Sequence, residues 1–405
     1  MKKTICELFA GVGGFRLGME RLNSGWETVW FSQYEPGRKN QYAFDCYVKH
    51  YGDLPDINGE YHTNDDIADV VKETIPDHSL LVGGFPCQDY SVAHWLNTAQ
   101  GIQGKKGVLW WQIRDTLEAK RPPFCIFENV DKLIISPTRQ RGRDFGVMLC
   151  CLSNLGYSAE WRVVNAAQYG GPQRRRRTFI FAYRNETVYG KAHAYAKPSE
   201  ILFTDGFMAK AFQAKSVRSL TTVDLPQDLV KLSDSFSFKF LKAGFLHNGT
   251  VWTADVEEAE EAPIPLRELV DHDVDEKYFL PEDAIPKWTF LKGYKQVPKT
   301  SKDGHKYLFT EGAIAFPDPL DKPARTMLTN EATVQRTTHV IADIDTGNLR
   351  FLTPLEAERI QGFDDNWTDT GMPIRARYFC MGNALVVPMV TRMGKIMDMI
   401  IGQEP

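Results

Sequence analysis

Short apolar runs alternate with helix-like stretches over the first 185 residues of the chain. The apolar runs lie at residues 4–9, 28–31, 80–82, 124–127 and 178–183. Segments with helical spacing, such as residues 38–50 and 108–118, lie between them. Strands that alternate with helices in this way are typical of a parallel sheet with helices on both faces. We therefore predict an α/β fold with a doubly wound, mostly parallel sheet.

The pattern changes after residue 184, where periodicity weakens and turns become frequent. A regular pattern returns in the segment from 350 to 363, and residues 384–401 are rich in Val and Met at near-helical spacing. We predict four segments from these changes. They are a main α/β domain at 1–185, a smaller inserted domain at 186–349, a hinge and motif segment at 350–378, and a C-terminal segment at 379–405 that returns to the main domain.

Composition narrows the class of protein without naming a function. The chain has 405 residues, of which 43% are hydrophobic and 25% charged, as in ordinary globular proteins. The net charge of −4 does not indicate a general nucleic-acid binder, although a local basic cleft remains compatible with it. Seven cysteines without a CxxC pair argue against a disulfide framework and a zinc site, so we expect no metal. No apolar stretch has the length of a signal sequence or a membrane span, and we expect a cytoplasmic protein.

A glycine-rich loop, FAGVGG, follows the first predicted strand and opens a helix. Glycines at such a turn let the backbone approach a ligand closely, although a plain tight turn has the same pattern. The loop differs from the GxGxxG pattern that holds a pyrophosphate, which favours a cofactor without phosphate. Glu35, at the end of the second strand, is suitably placed for ribose hydroxyls. Asp66 and Ile67 could bind an adenine, but Glu35 and Asp66 read singly also fit exposed loops.

Cys87 stands out among the cysteines, within the stretch GGFPCQDYS. Ligands of parallel α/β sheets bind beyond the carboxyl ends of the strands, and Cys87 follows such an end. Cys6, Cys125 and Cys150 have apolar neighbours and are predicted to be buried. A free thiol is mostly protonated at neutral pH, so a nucleophilic Cys87 needs activation. The glycine-rich residues 92–107 are predicted to form a lid over it, with an ordinary surface loop as the alternative.

Charged residues lie at the ends of two further apolar runs: Glu128 follows residues 124–127, and the four arginines at 174–177 precede residues 178–183. Glu128 ends a buried strand and faces the same crevice, where a proton-sharing carboxyl could bond to a ring nitrogen; capping a helix is the alternative reading. Alternation along an extended chain puts Arg175 and Arg177 on one side and Arg174 and Arg176 on the other. One pair can then enter the crevice while the other meets phosphate.

Six short motifs occur along the chain in the order in which a known family carries them. FAGVGG, GGFPCQDYS, ENV, GGPQRRRR, RFLTPLEAERIQGF and MGNALVVP together resemble the DNA (cytosine-5)-methyltransferase family of bacteria and phages. The resemblance covers residues 1–185 and 350–395, and it implies the fold of S-adenosylmethionine-dependent methyltransferases. The segment at 186–349 lies where that family carries its target-recognition domain. The implied reaction methylates C5 of a flipped-out cytosine through a covalent bond between Cys87 and C6.

The resemblance also implies roles for individual residues. The catalytic residues are Cys87, Glu128, Arg175 and Arg177. The cofactor contacts are Phe9, Ala10, Gly11, Val12, Gly14, Glu35, Asp66, Ile67, Gly84, Pro86, Leu109, Asn383 and Ala384, the last at a position where serine is common. Polar stretches at 241–252 and 325–339 and the arginine run supply predicted DNA contacts, together with one serine after the cysteine. These contacts are Ser91, Arg174, Arg176, His247, Asn248, Arg325 and Arg336.

The implied partners follow from this reaction. They are double-stranded DNA, bound by a monomer, and S-adenosylmethionine, which leaves as S-adenosylhomocysteine. No membrane partner is expected. A restriction endonuclease acting separately and a solitary methyltransferase are both compatible with the sequence. Two rival functions are an RNA cytosine methyltransferase, which the long insertion disfavours, and a non-catalytic DNA-binding regulator, which the intact Cys87, Glu128 and Arg175 disfavour.

Overall fold

A nine-stranded sheet forms the centre of the molecule in the computed structural model, which describes residues 1–85, 109–301 and 304–405. Its strands are β1 (Thr4–Leu8), β2 (Glu27–Ser32), β3 (Leu80–Gly84), β4 (Phe124–Val130), β5 (Tyr157–Asn165), β6 (Arg176–Arg184), β7 (Ala214–Asp224), β8 (Ala243–His247) and β9 (Thr250–Glu258). Their order across the sheet is β2-β1-β3-β4-β6-β5-β8-β9-β7.

The sheet is mixed, with a parallel half and an antiparallel half. Strands β2, β1, β3 and β4 pair in parallel, so their carboxyl ends share one edge. The pairs β4–β6, β6–β5, β5–β8, β8–β9 and β9–β7 are antiparallel. A two-residue connection such as that between β8 and β9 can join only antiparallel strands. The α/β class is confirmed, and the parallel arrangement is limited to the half that contains the glycine loop.

Eleven α-helices of five residues or more lie in the described ranges. They are α1 (Gly14–Glu20), α2 (Tyr42–Tyr51), α3 (Leu109–Lys120), α4 (Arg143–Asn154), α5 (Val188–His193), α6 (Phe207–Ala211), α7 (Leu229–Ser235), α8 (Ile285–Lys292), α9 (Pro354–Gln361), α10 (Ile374–Asn383) and α11 (Val387–Ile401). A helical turn at Pro198–Glu200 continues as a π-helical turn over Ile201–Asp205. None of the helices in these ranges combines the length and apolarity that a membrane crossing requires.

Two apolar cores cover the two faces of the sheet. Because side chains alternate along a strand, Ile5 joins one core and its neighbour Cys6 joins the other. The first core contains α1 and α11, and the second contains α3 and α4. All six cysteines in the described ranges are buried, as predicted for Cys6, Cys125 and Cys150.

The sheet continues past residue 185, where the sequence pattern placed the end of the main domain. Strands β7, β8 and β9 come from the 186–349 segment, and β8 pairs with β5 through Ala159 and Leu246. The same segment contains helices α5 to α8 and two small sheets, the second of which extends to Phe351. These are a two-stranded ribbon of β10 (Lys295–Thr300) and β11 (Lys306–Glu311), and a pair of β12 (Val340–Ala342) and β13 (Leu349–Phe351).

The C-terminal helix packs against the first helix of the chain. The Thr391 hydroxyl donates to the Gly18 carbonyl at 2.8 Å. A Cβ at Gly18 would lie 2.6 Å from Val390 Cβ, so only glycine permits this approach. The last residues also contact the first, since the Met1 amino group donates to the Glu404 carbonyl at 3.0 Å. Helix α11 therefore closes the face of the sheet below the glycine loop.

Candidate active site

The carboxyl ends of β1, β3 and β4 bring the glycine loop, Gly84 and Glu128 to one edge. Gly84 pairs directly with Glu128 in the parallel register, and Gly83 pairs with Leu8. A Cβ on Gly84 would lie 3.3 Å from Glu128 Oε2, so a larger residue would crowd the carboxylate. Three predicted site residues, Pro86, Cys87 and Ser91, lie outside the described residues.

The glycine loop leaves an open space above the end of β1. Phe9, Gly11 and Gly13 have φ values of 56°, 58° and 87°, which turn the chain sharply before α1. A Cβ at Gly13 would lie 2.8 Å from the Tyr51 ring, whereas a Cβ at Gly11 would meet no described atom within 4 Å. The Gly11 amide donates to Gln33 Oε1 at 2.7 Å, which holds the loop beside β2. The loop therefore has room for a ligand at Gly11.

A buried acid that the sequence analysis missed lies below this loop. Glu7 of β1 is fully buried, and the Tyr47 hydroxyl donates to its Oε2 at 3.2 Å. Burial raises the pKa of Glu7 to about 8, although the nearby charge of Arg16 and the bond from Tyr47 lower it. The alternation of β1 points this side chain inward, but a single glutamate in an apolar strand gave no signal of it.

The predicted acidic cofactor contacts occupy the adjacent loops. Glu35 follows β2 and is half-buried, and its amide and carbonyl are both bonded to the Gln41 side chain at 2.7 and 3.0 Å. Asp66 is half-buried, and its Oδ1 accepts from the Ala68 amide at 3.1 Å. Ile67 is 3% exposed and belongs to the second core, so little of its side chain faces outward.

The remaining predicted cofactor positions lie on three elements. Leu109 is the half-buried first residue of α3. Asn383 is exposed at the end of α10, and the half-buried Ala384 follows it. Ala10 and Val12 are buried within the glycine loop, and Gly14 begins α1.

Glu128 forms an ion pair with Arg177. Arg177 Nε lies 2.6 Å from Glu128 Oε1, and the two side chains are 17% and 12% exposed. The antiparallel register of β4 and β6 produces this contact, because it places Arg177 opposite Val130, two residues from Glu128. The crevice therefore presents a hydrogen-bond acceptor and a cationic donor side by side at the edge where Gly84 ends β3.

The four arginines alternate as the sequence predicted, but the two inward ones have different partners. Arg174 and Arg176 are exposed, whereas Arg175 is 2% exposed. Arg175 donates to the carbonyls of Met327 and Gly382, each at 2.9 Å. Burial lowers the pKa of Arg175 to about 9, together with the charge of Arg177, while Glu128 opposes the shift. Arg175 thus joins the beginning of β6 to two segments that are distant in sequence.

Gln173 adds a further connection that the sequence analysis did not assign. Its Oε1 accepts from the Met327 amide at 2.8 Å, and its Nε2 donates to the Ile360 carbonyl at 3.3 Å. The Arg174 amide also donates to the Ala324 carbonyl at 2.8 Å. The only sequence signal for these contacts was the position of Gln173 at the head of the QRRRR run. A glutamine that is buried there must bond its side-chain amide to groups nearby. Residues 324–327 are therefore fixed against the entry to β6.

Two predicted DNA contacts lie at the opposite edge of the sheet, and their role in binding DNA stays a prediction. His247 ends β8 and Asn248 begins the turn to β9, and the Ser158 hydroxyl lies 2.7 Å from His247 Nδ1. Ser158 and Phe124 both pair with Tyr183, so the turn is level with the beginning of β4. Six residues of strand, about 20 Å, separate that level from the end of β4. The turn lies at this edge because β8 runs in the direction opposite to β4.

Arg325 and Arg336, two further predicted DNA contacts, have internal acceptors for their guanidinium groups. Arg325 bonds to both carboxylate oxygens of Asp318, at 2.6 and 3.1 Å, and to the carbonyls of Thr337 and Thr338. Arg336 donates to the carbonyls of Leu291 and Gly312 and lies 3.5 Å from Glu311 Oε2. Their contact with DNA stays a prediction. Arg174 and Arg176 retain the exposure that phosphate contact requires.

Comparisons with known proteins agree with this geometry. A family model described as C-5 cytosine-specific DNA methylase matches residues 3–398. The Type II methyltransferase M.Sau3AI of Staphylococcus aureus is 48% identical over 405 aligned positions, covering 98% of this chain and 96% of that protein. The Type II methyltransferase M.HhaI of Haemophilus parahaemolyticus is 32% identical over 180 positions, covering 44% of this chain and 49% of that protein.

Solved structures share the fold at low sequence identity. The Entamoeba histolytica methyltransferase EhMeth matches with a TM-score of 0.59 and 17% identity, covering 98% of each chain. The S. pombe Dnmt2 methyltransferase matches with a TM-score of 0.59 and 14% identity, covering 99% of each chain. At this identity the likeness supports the methyltransferase fold alone.

Proposed function

The chain belongs to the C-5 cytosine-specific DNA methylase family, and we propose that Cys87, Glu128 and Arg177 hold and activate the cytosine that it methylates. The enzyme is a DNA (cytosine-5)-methyltransferase. One observation carries the assignment of residues: the 2.6 Å contact between Arg177 Nε and Glu128 Oε1, at the edge where β3 leads toward Cys87. The sequence places Cys87 three residues beyond Gly84.

Glu128 and Arg177 provide the two kinds of group that a cytosine edge requires. The carboxyl of Glu128 can share a proton with the ring nitrogen N3, and the guanidinium of Arg177 can donate to the ring carbonyl. Both interactions strengthen as negative charge develops on the ring, so they favour the transition state over the bound base. The ion pair also orients Glu128 before the substrate arrives, which reduces the reorganisation needed during reaction.

Cys87 supplies the nucleophile for a covalent route. Its thiolate forms an S–C6 bond, and the electron pair of the C5–C6 double bond makes C5 nucleophilic while Glu128 supports the charge at N3. S-adenosylmethionine, when bound, would supply the methyl group that C5 takes, and the electrons of the broken methyl–sulfur bond would stay on its sulfur. A base removes the C5 proton, the C5–C6 double bond reforms, and the S–C6 bond breaks to release Cys87.

A cytosine inside a duplex cannot reach this crevice. C6 is covered by its stacked neighbours, so the base must leave the stack, which costs a few kcal/mol. The exposed Arg174 and Arg176 lie beside the crevice and can contact phosphates, which offsets part of this cost. We assign double-stranded DNA as the substrate on this basis.

The residues around the glycine loop fit S-adenosylmethionine, which supplies an electrophilic methyl group when bound. The open space above Gly11 permits close approach of a ligand without phosphate. Glu35, held by Gln41 at the end of β2, is the acceptor for ribose hydroxyls, and Asp66 is the acceptor for the adenine amino group. Asn383 and Leu109 complete the set of contacts. The product is S-adenosylhomocysteine.

The biological setting follows from the relatives. Type II methyltransferases are among the relatives, so a restriction endonuclease acting separately fits this chain, although a solitary enzyme fits equally. We assign a cytoplasmic enzyme that acts on DNA as a monomer.

A duplex containing 5-fluorocytosine tests the proposed residues, because fluorine at C5 blocks the final proton removal. We expect the wild-type enzyme to form a covalent complex with it in the presence of S-adenosylmethionine. Cys87→Ser should form no covalent complex while still binding the duplex. Glu128→Gln should lower the rate of isotope exchange at cytosine C5 by about 10²-fold or more, with little change in cofactor affinity. Glu27→Gln, exposed at the beginning of β2, is the matched control. Normal turnover of Cys87→Ser would refute the mechanism.

A further inference from the structure

The β10–β11 ribbon exposes several large apolar side chains within the 186–349 segment. Six residue pairs join its strands, from Lys295 and Glu311 at the base to Thr300 and Lys306 near the tip. Tyr307, Leu308 and Phe309 follow one another on β11 and are 43%, 61% and 37% exposed. Since neighbouring side chains point to opposite faces, both faces of the ribbon expose apolar surface to solvent. An arrangement of this kind marks an interaction site.

Charge on the ribbon is positive, although the whole chain has a net charge of −4. Its described charged residues are three lysines and one glutamate, apart from a histidine, and the glutamate is already paired. Glu311 Oε2 forms ion pairs with Lys295 Nζ at 3.0 Å and with Arg336 Nε at 3.5 Å. Lys299 and Lys306 are exposed, and Lys299 Nζ lies 3.8 Å from the centre of the Phe309 ring. Two exposed lysines thus lie among aromatic side chains toward the tip, and such cations attract the phosphates of a nucleic acid.

The base of the ribbon is connected to the active-site edge through internal bonds. Arg336 bonds to the carbonyls of Leu291 and Gly312, the residues that precede and follow the ribbon. Arg336 belongs to the same segment as Met327, which Arg175 and Gln173 hold against the entry to β6. The ribbon therefore projects from a segment that is anchored beside the exposed Arg174 and Arg176.

We propose that the β10–β11 ribbon is an arm that enters the major groove of the DNA duplex, with Lys299 and Lys306 contacting phosphates. This inference rests on the proposed function. The major groove is about 12 Å wide and admits a two-stranded ribbon, whose strands are about 4.8 Å apart. Six residues span about 20 Å, enough to follow the groove past several base pairs. Exposed Leu308 would then contact base edges in the groove, such as thymine methyl groups.

The residues of the 186–349 segment that the sequence pattern assigned to DNA have other positions or partners, so the ribbon is the better candidate for a DNA contact in that segment. His247 and Asn248 lie at the far edge, and Arg325 and Arg336 are occupied internally. Binding to a polyanion nevertheless requires cations at the surface that meets it. The ribbon provides such cations, and a duplex, with one negative charge per about 1.7 Å of helix axis, attracts them more strongly than a second copy of a chain whose net charge is −4.

The salt dependence of DNA binding tests the proposal in the full-length enzyme. We expect Lys299→Gln/Lys306→Gln to reduce the slope of log K against log salt by about 1.8, because each phosphate contact contributes about 0.9. The matched control is Lys191→Gln/Lys231→Gln, which makes the same charge change on α5 and α7, beyond strands β6 and β7 that end at the opposite edge. The control should retain the wild-type slope. Leu308→Ala should weaken binding at high salt without changing the slope.

Three outcomes would overturn the assignment. A slope equal to that of the wild type in Lys299→Gln/Lys306→Gln would exclude phosphate contact by the ribbon. An equal loss of slope in the control would show an effect of total charge alone. A wild-type dimer in sedimentation that the ribbon variant dissociates, with the slope unchanged, would assign the ribbon to a second copy. Failure of the proposed function is distinguishable, because the wild-type enzyme would then not be trapped by 5-fluorocytosine. Melting temperatures within about 1 °C of wild type would show that each variant is folded.

Discussion

Replacing Arg175 and Arg177 one at a time by glutamine should separate a role in catalysis from a role in stability, which the sequence motif does not distinguish. Arg177 pairs with Glu128 at the rim of the crevice, so Arg177→Gln should lower the rate of methyl transfer and leave the fold intact. Arg175 bonds only to distant backbone carbonyls in the described structure, so Arg175→Gln should destabilise the protein.

The magnitudes follow from burial and partners. Hydrogen bonds to a charged group contribute roughly 1.5–3 kcal/mol each, and Arg175 makes two at 2.9 Å in a fully buried position. Part of this gain offsets the cost of burying the guanidinium, so we expect a loss of about 3 kcal/mol in the free energy of unfolding. The melting temperature should fall by roughly 3–4 °C, since the entropy of unfolding of a 405-residue chain is about 0.85 kcal/mol/K. The Glu128–Arg177 pair is near solvent, and its loss should cost at most about 1 kcal/mol of stability. The methyl-transfer rate should nevertheless fall by about 10²–10³-fold.

Two assays on the same preparations decide between these roles. Thermal unfolding by circular dichroism reports stability, and single-turnover transfer of a radioactive methyl group from S-adenosylmethionine to a duplex reports the chemical step. Arg218→Gln is the control, because Arg218 is exposed on β7, the edge strand at the far end of the sheet from β2. The reasoning would be refuted if Arg175→Gln kept the wild-type melting temperature, or if Arg177→Gln methylated DNA at the wild-type rate.

Two further predictions concern positions outside the ion pair. Gly382→Ala should destabilise the protein by about 3 kcal/mol or more, because the added Cβ would lie 2.4 Å from the Leu328 backbone. Gly312→Ala is the control, because its Cβ would meet no described atom within 4 Å. Equal midpoints of urea unfolding for the two variants would contradict this prediction. Between pH 4.5 and about 8 native Glu7 retains a proton that the unfolded chain has lost, so stability contributed by this group falls as pH rises through that window. Glu7→Gln should therefore flatten the decline in melting temperature between pH 6 and 8, and a profile parallel to wild type would show that Glu7 is already ionised.

Much of the candidate site could be predicted from local sequence. The glycine loop, the strand that ends before Cys87 and the strand that ends at Glu128 all have short-range patterns. The alternation of the four arginines is equally local, because successive side chains of an extended strand point to opposite faces. The structure has Arg175 and Arg177 inward and Arg174 and Arg176 outward, as predicted.

Contacts in the 186–349 segment could not be predicted in the same way from local sequence. Arg325 and His247 have the chemistry of DNA-binding residues, but Asp318 and Ser158 engage their side chains. Residue type determines what a side chain can donate, whereas burial and neighbours determine whether the group remains available to a ligand. The ribbon was missed because its strands are short and expose apolar residues on both faces, so they lack the alternation of a half-buried strand.

By itself the sequence determined the family, the reaction and the order of the motifs, because these depend on residue types at short spacings. Only the tertiary structure decided which partner each side chain meets: Arg175 and the Gly382 carbonyl are separated by 207 positions, and no local pattern encodes such a contact. It also decided which edge of the sheet each loop reaches, since that depends on the direction in which every strand enters the sheet.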